Sequence, residues 1–371
     1  RELIRHGAHV IPVMSRAATR IIHPDALEFA TGRRPITRLT GQVEHVRYCG
    51  DPPREADVLL VAPATGNTVA KMALGIDDTP VTTFAAAALG SGMPVVVAPA
   101  MHLAMAKNPA LEERVRQLRA RGVLWVEPLV EEGKAKLAAT QDIIAAVERA
   151  VGPRELEGRR VLVVAGPTSE PLDAVRVLTN RSSGRTGAEV VRAFNARGAD
   201  VTLLASEPLL AAFRTPATRT IQFSSVDSLL ARLKELGDLN AFAAVVNCAA
   251  ISDYTTEPRE GKIASDLEPL ELELRPAPRV NAAIRERFSG LLVGFKLEVG
   301  GDDGALVSKA RKRMADGRLD LTVANRLEDV AAGHTRWHIL PPQGDPVVVE
   351  GGKDEAARAL VQAVVQRIHR A

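Results

Sequence analysis

The chain has 371 residues, a quarter of them charged, with a formal net charge of only +3 and a sequence pI near 9.0. That length suffices for two domains with separate cores, and lysines and arginines interspersed with acids leave no basic stripe and exclude a general nucleic-acid footprint. The longest apolar runs, near Val58 to Ala64 and Met93 to Ala100, fall far short of the roughly 20 residues a membrane-spanning helix needs, and Cys49 and Cys248 build no disulfide framework, so the reading is a soluble protein of a reducing cytoplasm.

Arg1 to Gly7 reads as the closing turns of an amphipathic helix ending on glycine, and Val10 to Met14 as the strand after it. A doubly wound domain sets a strand and its ligand loop ahead of such a helix, so the expectation is a longer protein, N-terminally incomplete here. Val58 to Ala62, Pro94 to Ala98 and Val123 to Val126 continue one parallel sheet, with helices near Ala64 to Leu74 and Leu111 to Arg121. The segment APATGNTVAKMALGIDD, residues 62 to 78, puts Thr65 and Asn67 in a strand-to-helix loop, where Asn67 reads equally as a cap. Thr82, Thr83 and PAMHLAM, residues 99 to 105, follow. His45 has a near-neutral intrinsic pKa suited to proton transfer, although a lone histidine is more often structural.

The helix Thr140 to Val151 closes a first domain, residues 1 to 151, and Gly152, Pro153 and the charged stretch after them read as a linker, residues 152 to 158. Residues 159 to 371 repeat the alternation, with strands at Arg160 to Ala165, Asp200 to Ala205, Thr220 to Phe223, Ala243 to Asn247, Leu291 to Phe295 and Leu319 to Ala324. A last helix runs from Asp354 to Ile368. The fold class is therefore α/β, two doubly wound domains. AGPTSEPLDAVRVLTNRSSGRTG, residues 165 to 187, places Ser182, Ser183 and Gly184 at the turn into a helix, where free N–H groups and the helix dipole favour an anion; the same Ser-Ser-Gly reads also as a plain cap. The turn after this strand is Gly-Pro-Thr-Ser, without the GxGxxG of a dinucleotide oxidoreductase.

NCAAISDY, residues 247 to 254, ends a buried strand with small residues that let a nucleotide approach. There Asp253 accepts hydrogen bonds or helps hold a divalent metal, or simply closes an Asx turn. Between Asp253 and Ala277 the alternation stops, and KIASDLEPLELELRP suggests an extended strand or flap, of the kind that closes over ligands. GFKLE, residues 294 to 298, brings Phe295 and Lys296 to a strand's carboxyl end, and Lys309 and Lys312 lie on a helix before LDLTVAN. Each of these also reads as ordinary core or solvated charge.

Over residues 159 to 371 these segments resemble, in order, the phosphopantothenate–cysteine ligases. The resemblance implies a Rossmann-like ligase domain with a flap, joining cysteine to 4'-phosphopantothenate through an acyl-nucleotide. In that family the Asn-Arg-Ser-Ser-Gly loop holds the substrate, so Asn180 is implied to stabilise the acyl-nucleotide and Arg181, Ser182, Ser183 and Gly184 to bind substrate. Gly166, Asn247, Ala249, Asp253, Lys262, Phe295, Lys296 and Lys312 are implied nucleotide contacts, with Lys262 also catalytic and Asp253 a metal contact for Mg²⁺. Asn325 belongs to the same pattern. Ala264 and Ser265 after Lys262 depart from the extra lysines of many bacterial members and leave CTP or ATP open.

Residues 1 to 150 resemble the phosphopantothenoylcysteine decarboxylases. The resemblance implies a flavodoxin-like domain whose FMN oxidises the cysteinyl thiol, so that carbon dioxide leaves and the electrons return. His45 is the implied catalytic histidine, Ser15, Ala62, Thr65, Asn67, Thr83 and Met101 the implied flavin contacts, and His102 and Met105 the implied substrate contacts. His102 replaces the usual Asn of PAMN, so an imidazole would recognise the carboxylate. EPLVEEGKAKLAA, residues 127 to 139, lacks the active-site cysteine of bacterial members and looks like the archaeal fused form. Cys49, four residues past His45, is a speculative substitute with a core role favoured. The flavin phosphate contacts would come from the strand expected ahead of Arg1, and flavin sites formed between subunits imply a homo-oligomer. Two alternatives stand beside this reading: a ligase with a structural flavoprotein half, and a non-enzymatic regulatory flavoprotein.

Overall fold

Short apolar runs bounded by Gly or Pro become the strands of this chain. The computed structural model describes all residues except 214, 216 to 218, 264 to 269, 331 to 333 and 370 to 371. The chain divides into two units, Arg1–Pro153 and Arg154–Ala371.

In the first unit a parallel sheet orders its strands Leu59–Ala64, Val95–Pro99, Leu124–Trp125. The middle strand is buried at every position, so its two faces need separate cores. Val95 and Val97 pack with Val69, Met72, Phe84 and Leu118, and Val96 and Ala98 with Ile143 and Val147. The expected strand Val10 to Met14 does not form. Only Val13 bridges, to Ile36, with Ile36 N–H donating to Pro12 O and Met14 N–H to Ile36 O. Pro12 has no N–H, and a ladder cannot run through it. A helix absent from the sequence reading, Pro80–Gly90, carries Thr82 and Thr83; its signal was the capping box of Thr79 and Thr82.

The second unit has an eight-stranded sheet in the order Arg219–Phe223, Asp200–Ser206, Arg160–Ala165, Ala244–Asn247, Leu291–Glu298, Leu321–Arg326, His334–Leu340, Val347–Gly352. The first six are parallel and follow the doubly wound order, so the sheet switches direction between Arg160–Ala165 and Ala244–Asn247, where open α/β sheets bind ligands. Val161, Val163 and Ala165 pack with Val190, Phe194 and Val361, while Leu162 and Val164 face Phe223, Leu229 and Leu292. Each such Val, Leu or Phe side chain contributes about 1.5–3 kcal/mol by leaving water.

Two antiparallel strands at one end of the sheet, His334–Leu340 and the edge strand Val347–Gly352, escaped the sequence reading, because Arg336 and His338 interrupt an apolar pattern that Thr335, Trp337 and Ile339 carry on the other face. The expected linker also shortens. Leu156 is fully buried in this unit's core and Glu155 pairs with Arg197 at 2.7 Å, so the residues from Arg154 onward are part of the second unit.

Candidate active sites

At the switch point of the second unit, Gly166 turns at φ +93° with Ser206 Oγ occupying the space of a Cβ. Beyond the strands, the two loops stay joined. Cys248 N–H donates to Val164 O at 2.9 Å, Ala250 N–H to Gly166 O at 3.0 Å and Thr168 N–H to Ala250 O at 3.2 Å; Ser252 N–H donates to Thr168 Oγ1 at 2.9 Å. A hairpin of Ser169–Pro171 and Val177–Thr179 returns the chain to Asn180, whose Nδ2 donates to Ala250 O at 3.2 Å and Ile251 O at 3.1 Å. Asn180 is thus a brace across the two loops.

Gly184 caps the helix Arg185–Ala196 at φ +75°, a conformation that costs glycine little. The expectation of free N–H groups here needs correction: Ser182 Oγ accepts from Gly184 N–H at 3.3 Å and Ser183 Oγ from Arg185 N–H at 3.4 Å. The two serine hydroxyls therefore fill the N–H groups of Gly184 and Arg185. Arg181 and Arg185 are exposed beside them. Gly187 lets this helix lie against the strand, since a Cβ there would collide with that of Ala165.

Asn247 also departs from expectation. It is 5% exposed, and its side chain is committed, Nδ2 donating to Asn281 Oδ1 at 2.6 Å and Oδ1 accepting from Ala249 N–H at 3.3 Å. It shapes the turn at Ala249, with its amide bonded to protein partners on both sides. Phe295 is likewise engaged, edge-to-face on Trp337 with centroids 5.4 Å apart. Lys296 and Lys309 converge on Glu298 at 2.7 and 2.6 Å. Sequence reading missed Glu298, although it closes the GFKLE motif. Hydrogen bonds from Lys296 and then Lys309 hold its carboxyl below the usual carboxylate range. Asp253, Lys262 and Lys312 are exposed, and Asn325 lies in register with Leu297.

A second missed carboxylate is Asp173, whose side chain has no exposed surface. Burial alone would raise its pKa, but N–H donors from Arg176, Val175 and Ile263 and the Arg176 guanidinium outweigh that and bring it from the usual 3.8 to about 2. The flap appears only at its base, where Tyr254–Thr255 pairs antiparallel with Arg275–Pro276. Ala264 and Ser265, on which the choice of nucleotide turned, lie outside the described residues.

In the first unit, His45 lies in the helix Glu44–Cys49 and lines a cavity of about 370 Å³ with Asp51, Asp77, Thr83 and Ser91. Its Nδ1 is buried without a hydrogen-bond partner among the described residues. Thr83 Oγ1 donates to Asp77 O at 2.8 Å. Thr65, not Asn67, is the cap of Gly66–Leu74. Gly66 lies in contact distance of Met101 and Met105, with Sδ and Cε at 3.6 and 3.8 Å from its Cβ position, so the loop after the strand Leu59–Ala64 meets the PAMHLAM segment. Ala62 and Asn67 are exposed at that edge. His102 caps Leu103–Ala106, Nδ1 accepting from Ala104 N–H at 3.3 Å; with Nδ1 an acceptor, the ring's N–H donor is Nε2. Ser15 Oγ accepts from Ala18 N–H at 3.2 Å. Cys49 is 2% exposed in the core, its thiol pushed up to about 11 by burial, a packing residue more than an acid.

Among the described residues no three or more His, Cys, Asp or Glu gather to hold a metal ion. No helix among them is long and apolar enough to cross a membrane.

Residues 1–152 match the family described as Flavoprotein, and residues 156–368 match the DNA/pantothenate metabolism flavoprotein C-terminal domain. The chain is 42% identical to the coenzyme A biosynthesis bifunctional protein CoaBC of Thermococcus kodakarensis, over 88% of this chain and 81% of that protein. It is 32% identical to the protein of the same name from Methanocaldococcus jannaschii, over 98% of this chain and 88% of that one. Among solved structures, the DNA/pantothenate metabolism flavoprotein from Streptococcus pneumoniae aligns at a TM-score of 0.51 with 25% identity, over 56% of this chain and 99% of that chain.

Proposed function

The chain belongs to the family of coenzyme A biosynthesis bifunctional proteins and acts in that synthesis as a ligase and a decarboxylase, and from that premise we propose how its residues divide the work. The second unit, at the Asn180 brace, joins cysteine to 4'-phosphopantothenate through an acyl-nucleotide made from CTP or ATP. The first unit decarboxylates the product to 4'-phosphopantetheine with FMN. Both run in the cytoplasm.

The observation that carries the ligase reading is the closure of the switch-point loops around Asn180. With its Nδ2 occupied, Asn180 sets the spacing between the substrate loop and the nucleotide loop, and positioning supplies much of the rate in such transfers. Lys262, Lys296 and Lys312 neutralise the phosphoryl oxygens as pyrophosphate leaves, and Glu298 holds Lys296 in place. The exposed carboxylate of Asp253 suits an Mg²⁺ that arrives on the triphosphate, since that ion is commonly held by one or two carboxylates plus phosphates. Cysteine's amine then attacks the activated carboxyl, with no protein nucleophile.

In the first unit the fit to a flavin rests on the cavity that joins His45 and Thr83 and on the unpartnered Nδ1 within it. FMN, when bound, takes up and returns the electron pair that lets carbon dioxide leave. His45 moves the proton at the reacting carbon–sulfur unit, His102 Nε2–H grips the cysteine carboxylate, and Met101 and Met105 exclude water from it. Val43, Val46 and Met105 are about half exposed beside these residues, which supports a homo-oligomer whose second copy covers the site.

The test is mass spectrometry of products from phosphopantothenate, cysteine, Mg²⁺ and FMN, with CTP or ATP in parallel. Phosphopantetheine is expected with one nucleotide preferred. Accumulated phosphopantothenoylcysteine would leave the ligase and remove the decarboxylase; neither product would remove both.

A further inference from the structure

Lys262 is exposed, on a strap, residues 259 to 263, that belongs to no helix or strand, yet the strap is fastened on both sides of it. Arg259 N–H donates to Leu172 O at 3.0 Å and Ala174 N–H to Gly261 O at 2.9 Å. After Lys262, Ile263 N–H donates to Asp173 Oδ2 at 3.0 Å and Ile263 O accepts from Arg176 Nη1 at 3.1 Å. Asp173 is the centre of this fastening. Its Oδ1 accepts from Val175 N–H and Arg176 N–H at 2.7 and 2.6 Å, and its Oδ2 also takes Arg176 Nη1 at 2.8 Å. One buried carboxylate therefore folds its own turn and clamps a chain segment 90 residues away. The same turn connects the hairpin strands that end at Thr179, beside Asn180.

We infer that Asp173 is a positioning residue for the ligase reaction, holding the backbone on either side of Lys262 at a fixed place relative to the Asn180 loop. It touches no reactant in this account. Its oxygens are filled by protein donors, and it acts through the strap. An exposed lysine on an unfastened strap would have to be ordered by the triphosphate itself, and that ordering would weaken nucleotide binding. The inference rests on the reading of Lys262 as a phosphate contact, and the experiment separates the two.

Asp173→Asn replaces an acceptor with an NH₂ that cannot receive Ile263 N–H, or else cannot receive the turn amides. The expected result is a rise of about tenfold or more in the KM for the preferred nucleotide, the scale of a lost charge-assisted hydrogen bond, with cysteine decarboxylation unchanged. Amide exchange at Ile263 should quicken, and Asp173→Asn should add little to the loss caused by Lys262→Ala. Additive losses in the double variant, or unchanged exchange at residues 259 to 263, would overturn the inference. If Lys262→Ala alone leaves ligation untouched, the reading of Lys262 fails, and quickened Ile263 exchange in Asp173→Asn still establishes the clamp. Should Asp173→Asn not fold, Asp173→Glu, which keeps the charge and displaces the oxygens, is judged by the same exchange and KM readouts.

Discussion

In the second unit the side chains of Asn180 and Asp173 bond to chain segments 70 and 90 residues distant, whereas in the first unit the backbone joins the segments, Ala100 N–H donating to Ala64 O and Leu103 N–H to Gly133 O, the side chains of Thr65, His102 and Ser15 accept from their own helix turns, and His45 Nδ1 has no hydrogen-bond partner among the described residues. A site of the first kind is preorganised by long-range side-chain braces. A site of the second kind offers side chains with hydrogen-bonding capacity that a ligand can fill. The ligase half should therefore fail when its internal braces are cut, and the decarboxylase half only when a group facing the ligand is removed.

The sharpest break in that comparison is His45→Asn. Proton transfer by a positioned side chain contributes about 10²–10⁴-fold, so decarboxylation should fall by that factor while ligation, measured as pyrophosphate release, stays at its original rate. Loss of both with normal folding would mean that the two units do not hold separate chemistry. Asn180→Asp is the matching cut in the ligase half. It sets a carboxylate against Ala250 O and Ile251 O, where the amide was a donor. Breaking such a contact costs about 1–3 kcal/mol, or roughly 5- to 150-fold in ligation, with decarboxylation spared. Ligation at the original rate in Asn180→Asp would show that the brace is dispensable.

The same contrast explains what the sequence made legible. Arg160–Ala165 and Thr140–Val151 were placed correctly, because a covered parallel strand is a continuous apolar run and a surface helix an apolar stripe. Pro80–Gly90 was missed because its run of alanines carries little periodicity, and Val10 to Met14 was overread because its apolar residues outweighed the Pro12 that stops a ladder. In the site, motif residues facing a ligand were visible. Asp173 and Glu298 were not singled out, since their partners are backbone amides far along the chain or lysines whose convergence only the fold reveals. Asn247 misled for the same reason: its partner Asn281 lies 34 residues away.

Gly187→Ala sharpens the comparison by touching packing alone. The added methyl meets the Cβ of Ala165, and overpacking of this kind costs about 1–3 kcal/mol. The urea midpoint of the second unit should drop and ligation should fall with it, as the helix carrying Gly184 at its cap is pushed off the strand. An unchanged midpoint would mean that the helix shifts freely and that its seat is not part of the preorganised site.

The smallest effect expected concerns a histidine assigned no part in either reaction. His338 lies in the strand His334–Leu340 with 2% of its side chain exposed and neither ring nitrogen hydrogen-bonded among the described residues. Burial lowers its pKa from 6.5, against the pull of Asp303, whose Oδ1 lies 3.8 Å from Nε2; Arg336 and Arg326 lower it further and Asp329 opposes them. A base whose native pKa lies below its unfolded value takes its proton first in the unfolded chain. Its contribution to stability is then whole above pH 6.5 and is lost as the pH falls from 6.5 through the depressed native value. Trp337 emission in a Trp125→Phe background reports this unit alone. Its urea midpoint should decrease between pH 7.5 and 5.5, and the decrease should shrink in His338→Leu, which keeps the buried volume and removes the proton site. Equal decreases in both proteins would assign the pH dependence to other groups. The ligase half would then owe its acid sensitivity to surface ion pairs such as Arg336 with Asp303, which salt weakens, and repeating the titration at high ionic strength distinguishes those pairs from the buried ring.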